Sequence, residues 1–186
     1  MCLRYEKIGP TASKPVDLIT HDWIVLVGAA ADGELAKLYR FTTNNPVAGW
    51  SSPASDDSSW LAGPASFGHA LPGVQTSWTT GDIWLRQNFN FDGDAVKAAA
   101  LIVFYHEETE IYLNGQRIWS HTGCSTGYEA FAVTEALQIA LKKGANTFAV
   151  HRHQTAGGQM IDLALLYEAQ ASKLALNHSN QLRNSD

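Results

Sequence analysis

Between Glu110 and Trp119 the chain reads Glu-Ile-Tyr-Leu-Asn-Gly-Gln-Arg-Ile-Trp, two β-type runs that meet at Asn114-Gly115. Asn and Gly tolerate the positive φ angles of a type I′ turn, whose twist matches that of the strands it joins. A hairpin is therefore expected here, and it commits the region to antiparallel sheet.

The neighbouring segments repeat the message. In Ile83 to Phe91, Ile83, Leu85, Phe89 and Phe91 alternate onto one face, with Gln87 the exception; Trp84, Arg86, Asn88 and Asn90 face the other way. Ala98 to Tyr105 is almost wholly apolar, as suits a central strand covered on both faces. Further strands are expected over Trp23–Gly28, Leu35–Phe41, Tyr128–Val133, Asn146–His153 and Met160–Tyr167. Thr134 to Leu141 reads as a short helix capped by Thr134. Residues 42–82 are dense in Thr, Asn, Pro, Gly, Ser and Asp and read as a long loop anchored by Trp50, Trp60, Phe67 and Trp78. Short strands without βα alternation mean an all-β antiparallel sandwich. It is expected as one domain over 21–168, after an irregular lead-in (1–20) and before a polar tail (169–186).

With 45% hydrophobic residues in 186, the chain can bury a core of its own. A net charge of −5 and the absence of any Lys/Arg cluster exclude a nucleic-acid surface. No apolar run is long enough for a membrane span, and the N-terminus shows no secretory signal, so a soluble chain is expected. Cys2 and Cys124 are the only cysteines; with Cys2 in the lead-in, a disulfide framework is not expected.

Four stretches in order carry a resemblance: Trp84-Leu-Arg-Gln-Asn-Phe89, Glu110 to Trp119, Gly127-Tyr128, and Leu141 to His153. Together with Asp56-Asp57-Ser58-Ser59-Trp60, the series resembles the galactose-binding-like jelly-roll domain. The version it is most similar to is the sugar-binding-type accessory domain of β-galactosidase and β-glucuronidase relatives, over roughly residues 40–168. The resemblance implies a jelly-roll β-sandwich and a non-catalytic, carbohydrate-binding-like module. Its partners would be a carbohydrate or a neighbouring catalytic domain. A module of that kind is secreted or periplasmic.

Several residue groups are candidates for chemistry. Loop aromatics suit the apolar face of a pyranose, so the ligand-binding candidates are Trp78, His106, Tyr128, His151, His153 and Gln154, with Trp60 read as a structural plug. His151 and His153 leave the same face of a strand and form a metal half-site. Asp56 and Asp57 offer oxygens for a structural Ca²⁺, or cap a turn. Gly123-Cys-Ser-Thr-Gly127 matches a nucleophile elbow. A second function is thus a small hydrolase of esters or lactones using Ser125 with His121, His151 or His153, or a histidine-held metal; Cys124 is a weaker nucleophile candidate. Against it, the elbow needs a following helix, and β-type runs flank this one. Adjacent Glu107 and Glu108 point apart in extended chain and do not form a glycosidase acid/base pair.

Overall fold

The computed structural model describes residues 18, 22–30, 32, 38–155 and 158–170. Apart from Leu18, the lead-in through residue 20 lies outside the described residues, as do Cys2, 33–37 and the tail from 171.

The elements are β1 (Ile24–Val27), β2 (Leu38–Thr42), β3 (Leu61–Pro64), β4 (Phe67–His69), β5 (Thr76–Ser77), β6 (Asp82–Phe91), β7 (Val96–Tyr105), β8 (Glu108–Leu113), β9 (Gln116–His121), β10 (Glu129–Ala132), α1 (Thr134–Ala140), β11 (Gly144–His153) and β12 (Gln159–Ala169). They form two six-stranded sheets. One runs β10-β7-β12-β4-β5, with β1 also on β12; the other runs β3-β2-β6-β11-β8-β9. All pairings are antiparallel except β4 with β5.

The alternation predicted for β6 is what seals the sandwich. Ile83, Leu85, Phe89 and Phe91 enter one core with Ile111, Leu113, Phe148 and Val150 from the same sheet and Leu101, Val103, Ile161, Leu163 and Leu165 from the other. Leu137 and Ala140 of α1 join that core. The strand covered most fully on both faces is β12: its outward Ala164 and Leu166 pack with Ala29, Leu18, Trp23, Val25 and Ile102. In β7, by contrast, Ile102 and Phe104 are only half-buried.

The hairpin is as expected: Asn114 and Gly115 have φ of 53° and 84° between β8 and β9. Its asparagine does more than turn the chain. Nδ2 donates to the Ala140 carbonyl (2.8 Å) and to Asn146 Oδ1 (2.7 Å), while Oδ1 accepts from the Thr147 amide (2.9 Å). The turn is thus tied to the link from α1 into β11.

Three expectations are corrected. The stretch 42–82 is not one loop but contains β3, β4 and β5; at four, three and two residues, with Gly in two of them, these strands are too short to show a periodicity. Thr134 is not the helix cap: Val133 is, without a side-chain bond, and Thr134 Oγ1 accepts from the Ala99 amide instead. Cys124 is disulfide-bonded; whether a cysteine finds a partner depends on tertiary proximity, which spacing along the chain does not report.

Candidate functional site

The outer face of the β6/β11/β8 sheet carries the richest side-chain assembly. Register places Trp84 opposite His151, and His151 opposite Glu110, so all three leave that face together. The same parity brings Arg86 out beside Arg40 of β2. Over this face lies the segment 43–60, and Arg86 fastens it. Its Nε donates to Asp57 Oδ2 at 2.7 Å; Nη1 donates to the carbonyls of Trp50 and Ser52, and Nη2 to that of Ser55. Only 2% of the Arg86 side chain is exposed. A buried guanidinium is tolerated because its fork is filled by one carboxylate and three carbonyls.

The clamp sets an aromatic band. Trp50 stacks on Trp60 (centroids 6.5 Å, 28°) and meets Tyr112 edge-on at 5.5 Å. Trp84 lies parallel to His151 at 4.7 Å and 4°. Beside the band, Asp82 Oδ1 receives both His151 Nε2 (2.9 Å) and His153 Nδ1 (2.8 Å). An ionised carboxylate only accepts, so this network puts a proton on each of those nitrogens. Burial raises the Asp82 pKa, but the histidine hydrogen bonds outweigh it and hold the carboxyl below its ordinary range. Tyr112 donates to Glu110, and burial with that bond pushes its phenol up to about 12.

A cleft of about 330 Å³ opens between the two ends of the clamped segment. Thr42, Asn44, Asn45, Pro46 and Val47 line one side, and Ser55, Asp56, Ser59 and Trp60 the other. Asn44, Asn45 and Asp82 were not picked out from the sequence. The signal of the two asparagines is weak, because amides in a Pro/Ser-rich stretch read as ordinary turn formers, and an Asp at a strand start does too.

The structure disperses the residues singled out from the sequence. Trp78 is 2% exposed and belongs to the core: its Nε1 donates to Thr80 Oγ1 and to the Asp82 carbonyl, and the Arg152 guanidinium lies 5.1 Å from its ring. It presents no surface for stacking, whereas Trp60, read as a plug, lines the cleft. Tyr128 is 47% exposed, and its hydroxyl is bound to Asp162 at 2.5 Å on the other sheet. His106 pairs with Cys124 in an isolated bridge and meets Phe104 edge-on. Gln154 donates its amide to the Gly81 carbonyl. Of the ligand candidates, His151 and His153 meet at Asp82, while His106 and Tyr128 both pack edge-on against Phe104, away from that site.

The elbow reading fails on geometry. Ser125 is 3% exposed; its hydroxyl donates to the Tyr105 carbonyl and accepts from the Tyr105 amide, both at 3.1 Å. His121 Nδ1 faces the Tyr105 hydroxyl at 3.3 Å, not Ser125. The segment joins β9 to β10 and is not a strand-to-helix turn. Cys124, in a disulfide, is no thiolate nucleophile.

The metal candidates also part. Asp57 is committed to Arg86, while Asp56 Oδ1 accepts from the Ser58 amide, an Asx turn. Among the described residues no group of three or more His, Cys, Asp or Glu is arranged to hold a metal ion.

No family model matches the chain, and no curated protein matches it. Solved structures do. A β-glucuronidase of Lactobacillus rhamnosus is 19% identical with a TM-score of 0.53, over 84% of this chain and 30% of that one. Bacteroides uniformis β-glucuronidase 2, covalently bound to cyclophellitol-6-carboxylate aziridine, is 16% identical with a TM-score of 0.55, over 80% and 18%. A glycosyl hydrolase family 2 member from Bacteroides cellulosilyticus is 16% identical with a TM-score of 0.54, over 72% and 20%. What this chain shares with them is an all-β sandwich fold that fills less than a third of each of those glycosidase chains.

Proposed function

We propose that this chain is a non-catalytic, carbohydrate-binding-like accessory domain of a glycoside hydrolase or a related polysaccharide-processing protein. One observation carries the reading: the likeness covers 72–84% of this chain but only 18–30% of the three glycosidase chains. A sandwich that accounts for so small a share of its neighbours corresponds to a module beside the catalytic part, and fold alone does not confer their chemistry. The occupied hydroxyl of Ser125 supports the same reading. The partners are then a glycan and an adjoining catalytic domain. The disulfide at Cys124 fits a secreted or periplasmic setting, where such bonds persist.

Two assays on the same preparation test this. Affinity gels containing soluble polysaccharides should retard the protein. Chromogenic glycosides and esters should not be turned over above buffer, and a Ser125→Ala variant should behave identically. Turnover that Ser125→Ala abolishes would sink the non-catalytic reading.

A further inference from the structure

We propose that the cleft between residues 42–47 and 55–60 is a binding site for one neutral pyranose unit, with Trp60 as its stacking face and Asn44 and Asn45 as its hydroxyl-reading amides. The proposal rests on the module reading above and names where and what such a module would bind.

The size fits. At about 330 Å³ the cleft falls at the small end of ligand sites, which run from roughly 300 to 1,000 Å³. Its chemistry fits as well. The lining offers two amides, hydroxyls from Thr42, Ser55 and Ser59, and an indole. A pyranose presents an apolar C–H face ringed by hydroxyls that both donate and accept. Amides and hydroxyls match that pattern, and a flat ring matches the face. Among the described residues the side-chain amides of Asn44 and Asn45 hold no hydrogen bond; the Asn44 backbone amide donates to Thr42 Oγ1, and the Val47 carbonyl accepts from the Trp50 amide.

The ring is also held in place. Trp60 packs on Trp50, lies 6.0 Å from the Arg86 guanidinium, and sits three residues from the buried Arg86–Asp57 ion pair. A stacking face fixed this way loses little side-chain entropy on binding.

The same lining selects against anions. Among the described residues Asp56 is the one ionisable side chain of the lining, and no Lys, Arg or His is part of it. Arg86 is turned to the protein, on Asp57 and three carbonyls, while the exposed Arg40 places Nη1 on the Trp60 carbonyl. The Ser58 amide on Asp56 favours its ionised form. Within the lining itself a uronate therefore meets like charge and no cation among the described residues.

The test titrates the full chain by calorimetry and tryptophan fluorescence. The probes are the methyl glycosides of glucose, galactose and mannose, with glucuronate as the anionic arm. At least one neutral glycoside should bind, and glucuronate should bind about tenfold more weakly or not at all. In the double variant Asn44→Ala/Asn45→Ala, both positions being exposed, affinity should fall about tenfold with the unfolding midpoint unchanged. Trp60→Phe should weaken binding less than Trp60→Ala. A neutral glycoside bound equally well by wild type and double variant overturns the cleft but leaves a sugar-binding module. Tighter binding of glucuronate overturns the ligand class. No binding by any probe overturns the cleft, and the turnover assays then decide separately whether the module reading stands.

Discussion

Arg86 and Asp57 form a 2.7 Å ion pair that joins the middle of β6 to a segment 29 residues earlier in the chain. The pair links Trp84-Leu-Arg-Gln-Asn-Phe89 to Asp56-Asp57-Ser58-Ser59-Trp60, two motifs well separated along the sequence. Removing one member leaves a charge in a site that is 2% exposed, which typically costs about 3–5 kcal/mol. Asp57→Ala should therefore destabilise the protein by about 3 kcal/mol in denaturant titration, the three carbonyls on Arg86 softening the loss. Asp57→Asn, which keeps an acceptor for Nε, should cost less. Equal effects of the two would show that charge compensation is not what holds the segment.

Asn114 combines a turn conformation with three hydrogen bonds into the α1–β11 link. Asn114→Gly keeps the positive φ accessible and removes only the bonds. It should still lower stability by about 2 kcal/mol, since Asn146 and the Thr147 amide lose partners in a buried setting. A cost within about 0.5 kcal/mol would reduce Asn114 to a turn residue.

Asp82 gives the protein an acid-sensitive contribution. Its folded pKa lies below the ordinary value of 3.8, because the two histidine bonds outweigh burial. A lowered carboxyl pKa adds stability that is complete above the unfolded pKa and is lost as pH falls through the folded one. Asp82→Asn should therefore flatten the acid limb of stability below about pH 4 and have its full cost near neutrality. An acid limb of unchanged slope would place that sensitivity elsewhere.

Arg152 is fully buried, stacked on Trp78, and its guanidinium has no hydrogen bond among the described residues. Burial pulls its pKa down to about 10, against the opposing pull of Glu107 and Asp82. Replacing such a charge by an apolar chain of similar length is often neutral or stabilising by about 1–4 kcal/mol. Arg152→Met should leave the thermal midpoint unchanged or raise it. A loss of several degrees would mean the stacked guanidinium contributes more than its desolvation removes.

Much of this protein was determined by local pattern. The alternation in β6, the Asn114-Gly115 turn and the apolar run in β7 depend on side-chain periodicity and backbone φ, which are properties of a few consecutive residues. They suffice for two packed antiparallel sheets. The strands β3 to β5 were hidden because two to four residues are too few to display an alternation.

The candidate site was decided by tertiary structure. Ser125 matches a catalytic pattern, yet its hydroxyl is taken by the Tyr105 backbone 20 residues away. Trp78 looked exposed, yet folding buries it in the core, whereas Trp60 packs on Trp50 and also lines the cleft. His151 and His153 could be placed on one face by spacing alone; that they share Asp82, 69 and 71 residues distant, could not. A strand's own sequence says which side chains share a face, whereas what lies over that face depends on contacts between segments remote in the chain.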